Sequence, residues 1–98
     1  MRVANVATDG DAYGLTVTTD GSWNLLFPNQ PIGTVSEYKL GPIYDNSFEL
    51  IPARDTSLPA EIAFERNIQV GLLYTFVVSG RANNGTLDVF HIAESAER

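Results

Sequence analysis

The sequence contains no cysteine among its 98 residues, and its one histidine is His91. Disulfide bonds, thiolate metal sites and thiol catalysis are therefore excluded. A Ser-His-Asp triad would have to use His91, and no Gly-x-Ser-x-Gly segment is present to supply the nucleophile. His91 lies in an alternating apolar run, where we expect a strand histidine with a local partner. We predict that the protein is not an enzyme and has no catalytic residue, no metal site and no cofactor.

Basic residues are scarce as well. Six lysines and arginines stand against twelve acidic residues, which gives a net charge of −6. The basic residues are scattered along the chain, whereas a phosphate-backbone binder needs them clustered. We therefore predict no nucleic-acid partner. No apolar run exceeds four residues, and a bilayer-spanning helix needs about 20, so we predict no membrane insertion.

What the sequence does contain is a series of short strand signals separated by Gly, Pro, Asn and Asp turns. No window of eleven or more residues has the 3.6-residue apolar period of a helix. Many short, evenly spaced strands are typical of a sandwich or barrel. We predict a single all-β domain over residues 1–98, an immunoglobulin-like antiparallel β-sandwich of seven to eight strands. The predicted strands are 2–7, 14–19, 23–27, 34–40, 47–52, 60–68, 72–79 and 86–93.

Alternation within the strands predicts which side chains form the interior. Leu15 and Val17 share one face of the second predicted strand, and Phe48 and Leu50 share one face of the fifth. The strand 72–79 is apolar on both faces, which is typical of a central strand covered on both sides.

Two acidic patterns have some features of functional sites. Asp9 and Asp11 resemble the start of a calcium loop, but the remaining oxygen ligands of such a loop are missing. A turn stabilised by the Asp side chains is the simpler explanation. Glycoside hydrolysis would need two carboxylates flanking a cleft. We expect the strand glutamates to be solvated instead, and we expect no pocket of a few hundred Å³ with converging polar groups.

The aromatic residues offer the best candidates for a binding surface. Trp23 is predicted to be buried, because a core tryptophan is common in sandwiches, and Tyr38 is a second candidate for the core. Tyr13 and Tyr44 stand beside turn residues and are predicted to be exposed. Flat aromatic faces suit sugar rings or a protein partner, so Tyr13 and Tyr44 are the candidate ligand-binding residues.

An ordered set of motifs spans nearly the whole chain. The most distinctive are residues 33–40 (GTVSEYKL) and 70–80 (VGLLYTFVVSG), and the others are 2–9 (RVANVATD), 14–17 (GLTV), 20–21 (DG), 48–53 (FELIPA) and 85–90 (GTLDVF). In this order they resemble the bacterial domain-of-unknown-function family 4397. The resemblance implies an immunoglobulin- or transthyretin-like sandwich from an exported protein, often in tandem copies, with no agreed activity and no catalytic residues.

Together these observations predict a non-catalytic structural or protein-interaction module of an exported bacterial envelope or surface protein. The resemblance implies a secreted, periplasmic or cell-surface location and a chain excised from a longer exported protein. The expected partners are neighbouring domains of the same chain or another protein, or a second copy that pairs through an edge strand. The alternative is a carbohydrate-binding module that uses the loop aromatics Tyr13 and Tyr44.

Overall fold

The computed structural model describes residues 1–8, 12–19, 22–41, 44–53, 59–81 and 85–95, with Ser22 and Tyr44 described by their backbone alone. Most of the described residues lie in strands and none lies in a helix. This confirms the predicted all-β class. The strands are β1 (Arg2–Asn5), β2 (Tyr13–Thr19), β3 (Ser22–Gln30), β4 (Thr34–Val35), β5 (Tyr44–Pro52), β6 (Ile62–Ile68), β7 (Leu72–Ser79) and β8 (Asp88–Ser95).

The strands form two four-stranded sheets packed face to face. Sheet A has the order β4-β1-β7-β8, and sheet B has the order β3-β2-β5-β6. Every neighbouring pair is antiparallel except β1 and β7, which run parallel. The architecture is therefore consistent with a β-sandwich, but sheet A is mixed and not wholly antiparallel as expected.

Aromatic rings join the two sheets at the centre of the interior. Phe48 of sheet B and Phe76 of sheet A are both fully buried, with ring centroids 5.0 Å apart. Phe64 stacks on Phe48 at 5.2 Å and lies 5.8 Å from Phe76. Burial of each such side chain contributes about 1.5–3 kcal/mol. Around these rings the core cluster contains Val3, Ala7, Tyr13, Leu15, Val17, Phe27, Leu50, Ile68, Tyr74, Val78 and Val89.

Two predicted strands, β3 and β4, differ most from expectation at their C-terminal ends. β3 continues through Pro28 to Gln30, which is possible because β3 is an edge strand and needs no ladder N–H on its outer side. The predicted strand 34–40 is a strand only over Thr34–Val35. Beyond it, Ser36 accepts a bond from the amide of Val3 through its side-chain Oγ at 2.9 Å. A side chain thus replaces a backbone acceptor, and the regular ladder ends there.

The central place of β7 is confirmed, because it lies between β1 and β8. Its inward side chains Tyr74, Phe76 and Val78 belong to the core. Thr75 and Val77 on its outward face are buried as well, whereas Leu73 at its start is 36% exposed. Burial on both faces is therefore confirmed for the middle of β7.

Candidate functional site

The outer face of sheet A is apolar. The register pairs Ala4 with Val77 and Val77 with Phe90, and in the next row it pairs Thr75 with Ile92. Paired residues share a face of a sheet, and this is the face opposite the core residues Phe76 and Val78. We define the apolar face as Ala4, Val35, Leu73, Thr75, Val77, Phe90 and Ile92.

Large side chains at the rim of the apolar face are open to solvent. The exposed fraction is 55% for Val35, 45% for Phe90 and 50% for Ile92. Isolated exposed apolar residues are normal on any protein, but a contiguous group of them marks an interaction site. The apolar face is such a group, because its members are cross-strand neighbours.

One cation stands within the apolar face. Arg2 pairs with Thr75 in the register, and its Nε donates to Thr75 Oγ1 at 3.0 Å. Its guanidinium carbon lies 4.5 Å from the ring centroid of Tyr38, which is 41% exposed and therefore not in the core. The acidic side chains Asp88 and Glu94 stand on the same face, near the two ends of β8. The positive group of Arg2 therefore lies between the negative groups of Asp88 and Glu94 along the strand direction.

The outer face of sheet B has a different chemistry. A depression of about 680 Å³ lies across the ends of β2, β5 and β6. We call it the polar groove, because all the described residues that line it are polar, and it corrects our expectation that no such pocket exists. Its lining residues are Thr18, Thr19, Asp45, Asn46, Ser47, Glu65, Arg66 and Asn67.

The register shows why these residues come together. Thr18, Ser47 and Glu65 form one cross-strand row, and Asp45 pairs with Asn67 two residues further along. Both rows point away from the core, since their neighbours in sequence point into it. Five of the eight lining residues are the members of these two outward rows, so the groove opens on the outer face. Asn46 and Arg66 alternate with them, and the Arg66 side chain contacts Phe64 and His91 instead of lying in the rows.

A side-chain hydrogen bond joins the two residues of the second row. Asn67 Nδ2 donates to Asp45 Oδ1 at 2.8 Å. Arg66 Nη1 donates to the carbonyl oxygen of Glu65 at 2.7 Å, and its guanidinium carbon lies 4.9 Å from the ring centroid of Phe64.

Trp23 lies in the same row as Thr18 and is 55% exposed, so its predicted burial is wrong. Simple alternation along β3 would place Trp23 and the buried Phe27 on one face. The pairing of β2 with β3 shifts register between Leu15 and Thr16, however. An irregularity of this kind inserts a residue and moves the side chains beyond it to the opposite face. The sequence gives no clear signal for its position.

The two predicted ligand-binding tyrosines do not form an exposed platform. Tyr13 is only 4% exposed and belongs to the core cluster. It begins β2 on the same face as Leu15 and Val17, so the strand starts earlier than the turn residues suggested, and its predicted exposure is wrong. Tyr44 is the first residue of β5, and its side chain lies outside the described residues.

His91 has the local partner expected of it. Its Nδ1 accepts a bond from Arg66 Nε at 3.1 Å, and its ring lies 5.6 Å from that of Tyr74. This contact joins β8 to β6 at one lateral edge of the sandwich. Within the described part of the chain, no group of three or more His, Asp or Glu residues could hold a metal ion. Asp9 and Asp11 lie outside the described residues.

Comparison with protein-family models gives no match for this chain, and comparisons with curated proteins and with solved structures give none either. The resemblance to family 4397 therefore stays a prediction. Among the described residues no helix is long and apolar enough to cross a membrane.

Proposed function

We propose that this chain is a non-catalytic protein-interaction module whose docking surface is the apolar face of sheet A. The observation behind the proposal is the exposure of three large apolar side chains on that face. Val35, Phe90 and Ile92 are about half exposed, while their cross-strand neighbours are buried. Leaving these side chains in water is unfavourable, and covering them with another apolar surface recovers roughly 25 cal/mol for each Å² removed from solvent.

The occupant we propose is a second copy of this chain, packed sheet against sheet. Flat apolar sheets pack face to face at about 10 Å, with their strands nearly aligned. A second copy turned by 180° about an axis parallel to β7 places its β1 over β8 of the first copy. Such an interface is isologous, because each copy contributes the same surface.

Charge complementarity favours this arrangement. Arg2 lies in the same cross-strand row as Thr75 and Ile92. In the rotated copy Arg2 therefore stands over Ile92, and Glu94 is the next residue on that face, about 7 Å further along the strand. Two Arg2–Glu94 contacts would form, one at each side of the axis. They offset the repulsion between two chains that each have a net charge of −6.

We also propose that the sandwich is immunoglobulin-like and that the protein is exported. The immunoglobulin-like form of the sandwich is supported by two packed four-stranded sheets and by the resemblance to family 4397. That resemblance is also what supports an exported bacterial envelope or surface protein, in which a neighbouring domain of the same kind would present a similar face. Pairing through an edge strand stays a competing mode of association.

Sedimentation equilibrium tests the proposal with a matched pair of variants. Ile92→Lys places a charge in the apolar face, whereas Val70→Lys places one at an apolar residue that is 69% exposed in the turn between β6 and β7. We expect wild type and Val70→Lys to form dimers and Ile92→Lys to have the mass of one chain.

The protein concentration determines how weak a dimer the experiment can detect. At about 1 mM, even an association of about 4 kcal/mol is half formed. A single-chain mass for the wild type at that concentration would contradict the proposal. A dimer that survives Ile92→Lys unchanged would contradict the assigned face and favour edge-strand pairing.

A further inference from the structure

We propose a second binding site on the opposite side of the molecule, going beyond the proposed function: the outer face of sheet B binds a neutral oligosaccharide. Trp23 provides the surface on which a sugar ring stacks, and the polar groove provides the hydrogen bonds to its hydroxyl groups. The two parts lie in one cross-strand row, in which Trp23 pairs with Thr18, Thr18 with Ser47, and Ser47 with Glu65.

The dimensions of the row suit an extended ligand. Four adjacent strands at about 4.8 Å spacing give a row about 14 Å long, which is the length of a few linked sugar rings. The second row, Asp45 and Asn67, lies about 7 Å away along the strands. A chain of sugars that lies along the first row would contact Trp23 at one end and the polar groove at the other.

Trp23 has the exposure that stacking requires. It is 55% exposed, although tryptophan has the largest apolar surface of any side chain and is highly buried on average. Its flat face gives a large contact area at a low cost in conformational entropy. A pyranose ring has an apolar face of C–H groups that matches such a surface.

The polar groups of the groove match hydroxyl groups. Thr18 and Ser47 have hydroxyls that both donate and accept, and the carboxylates of Asp45 and Glu65 accept. The Asn67 amide donates to Asp45 and accepts from Gln69, so its role is to position the Asp45 carboxylate. The described lining of this groove is polar throughout, so the apolar part of the contact with a sugar falls to Trp23.

Charge selects against acidic ligands. The groove holds two carboxylates, Asp45 and Glu65, and one cation, Arg66. Arg66 already donates to the carbonyl oxygen of Glu65 and to His91. A phosphate or an acidic sugar would face the two carboxylates without a dedicated cation. A neutral oligosaccharide meets no such penalty, so we assign the ligand to that class.

The chain contains a built-in reporter for this test, because Trp23 is its one tryptophan. The probes are cellohexaose, maltohexaose and mannohexaose, with hexagalacturonic acid as the acidic comparison. We expect at least one neutral hexasaccharide to shift the tryptophan emission to shorter wavelength and to protect it from acrylamide quenching. No effect from any neutral probe would overturn the proposal, and equal binding of hexagalacturonic acid would overturn the neutral assignment.

Calorimetric titration of variants identifies the site. Trp23→Ala should weaken the association constant at least about tenfold, and Asn67→Ala several-fold. Ile32→Ala removes an apolar side chain that is 40% exposed in the turn between β3 and β4, outside both proposed surfaces, and should bind sugar as the wild type does. Full binding by Trp23→Ala would overturn the proposal. Because Trp23 lies on sheet B and the apolar face on sheet A, failure of this site and failure of the dimer are distinguishable.

Discussion

Replacing Phe48 with alanine should remove a large part of the stability of this domain. Phe48 is fully buried and its ring meets two others, at centroid distances of 5.2 Å to Phe64 and 5.0 Å to Phe76. A buried Phe→Ala change costs about 3–5 kcal/mol, through lost transfer free energy and the cavity left behind. A chain of this size is stable by only about 5–15 kcal/mol, so Phe48→Ala should lose a fifth of that or more.

Urea denaturation followed by circular dichroism measures the effect. The midpoint should fall while the slope m stays constant, since the fold itself is retained. In thermal unfolding the same change should lower Tm by more than about 12 °C, at 4–8 °C for each kcal/mol. Phe90→Ala is the control, because Phe90 is 45% exposed and should cost no more than about 1 kcal/mol. Equal losses for the two variants would refute the assignment of Phe48 to the interface between the sheets.

Three further substitutions test single positions. Asn5→Ala should cost about 2–4 kcal/mol in urea denaturation, because two buried backbone groups lose their partner, the carbonyl of Gln30 at 2.9 Å and the amide of Ala7 at 3.2 Å. Gly85→Ala should cost about 1–2 kcal/mol, the strain of a left-handed residue with open space around it. Gly80→Ala should lower Tm further, because its Cβ would also overlap the carbonyl of Thr86. A cost below about 0.5 kcal/mol for Asn5→Ala, or equal Tm values for the two glycine variants, would contradict these assignments.

The fold class and most of the interior could be predicted from the sequence. Period-two alternation identifies Leu15 with Val17 and Phe48 with Leu50 as inward pairs, and these four residues are in the core. Alternation works here because β2 and β5 pair in unbroken register from Tyr13 to Thr18. The strand β7 (Leu72–Ser79) has the bounds expected from its apolar run.

The surfaces could not be predicted in the same way. The position of Trp23 depends on a register shift between β2 and β3, and such irregularities follow from the fit of two strands, not from the pattern of one. The polar groove brings together residues of three strands, among them Thr18, Ser47 and Glu65, that are far apart in sequence. The apolar face depends on the parallel pairing of β1 with β7, which local patterns do not specify.

Intermolecular nuclear Overhauser effects between two copies test the central claim most directly. In a mixture of isotope-labelled and unlabelled chain, the packing proposed here predicts contacts from the side chain of Ile92 in one copy to Ala4 and Arg2 in the other. Residues of sheet B, such as Trp23, should show none. Contacts between copies that involve sheet B, or none at all at millimolar concentration, would contradict the assignment of the apolar face as the docking surface.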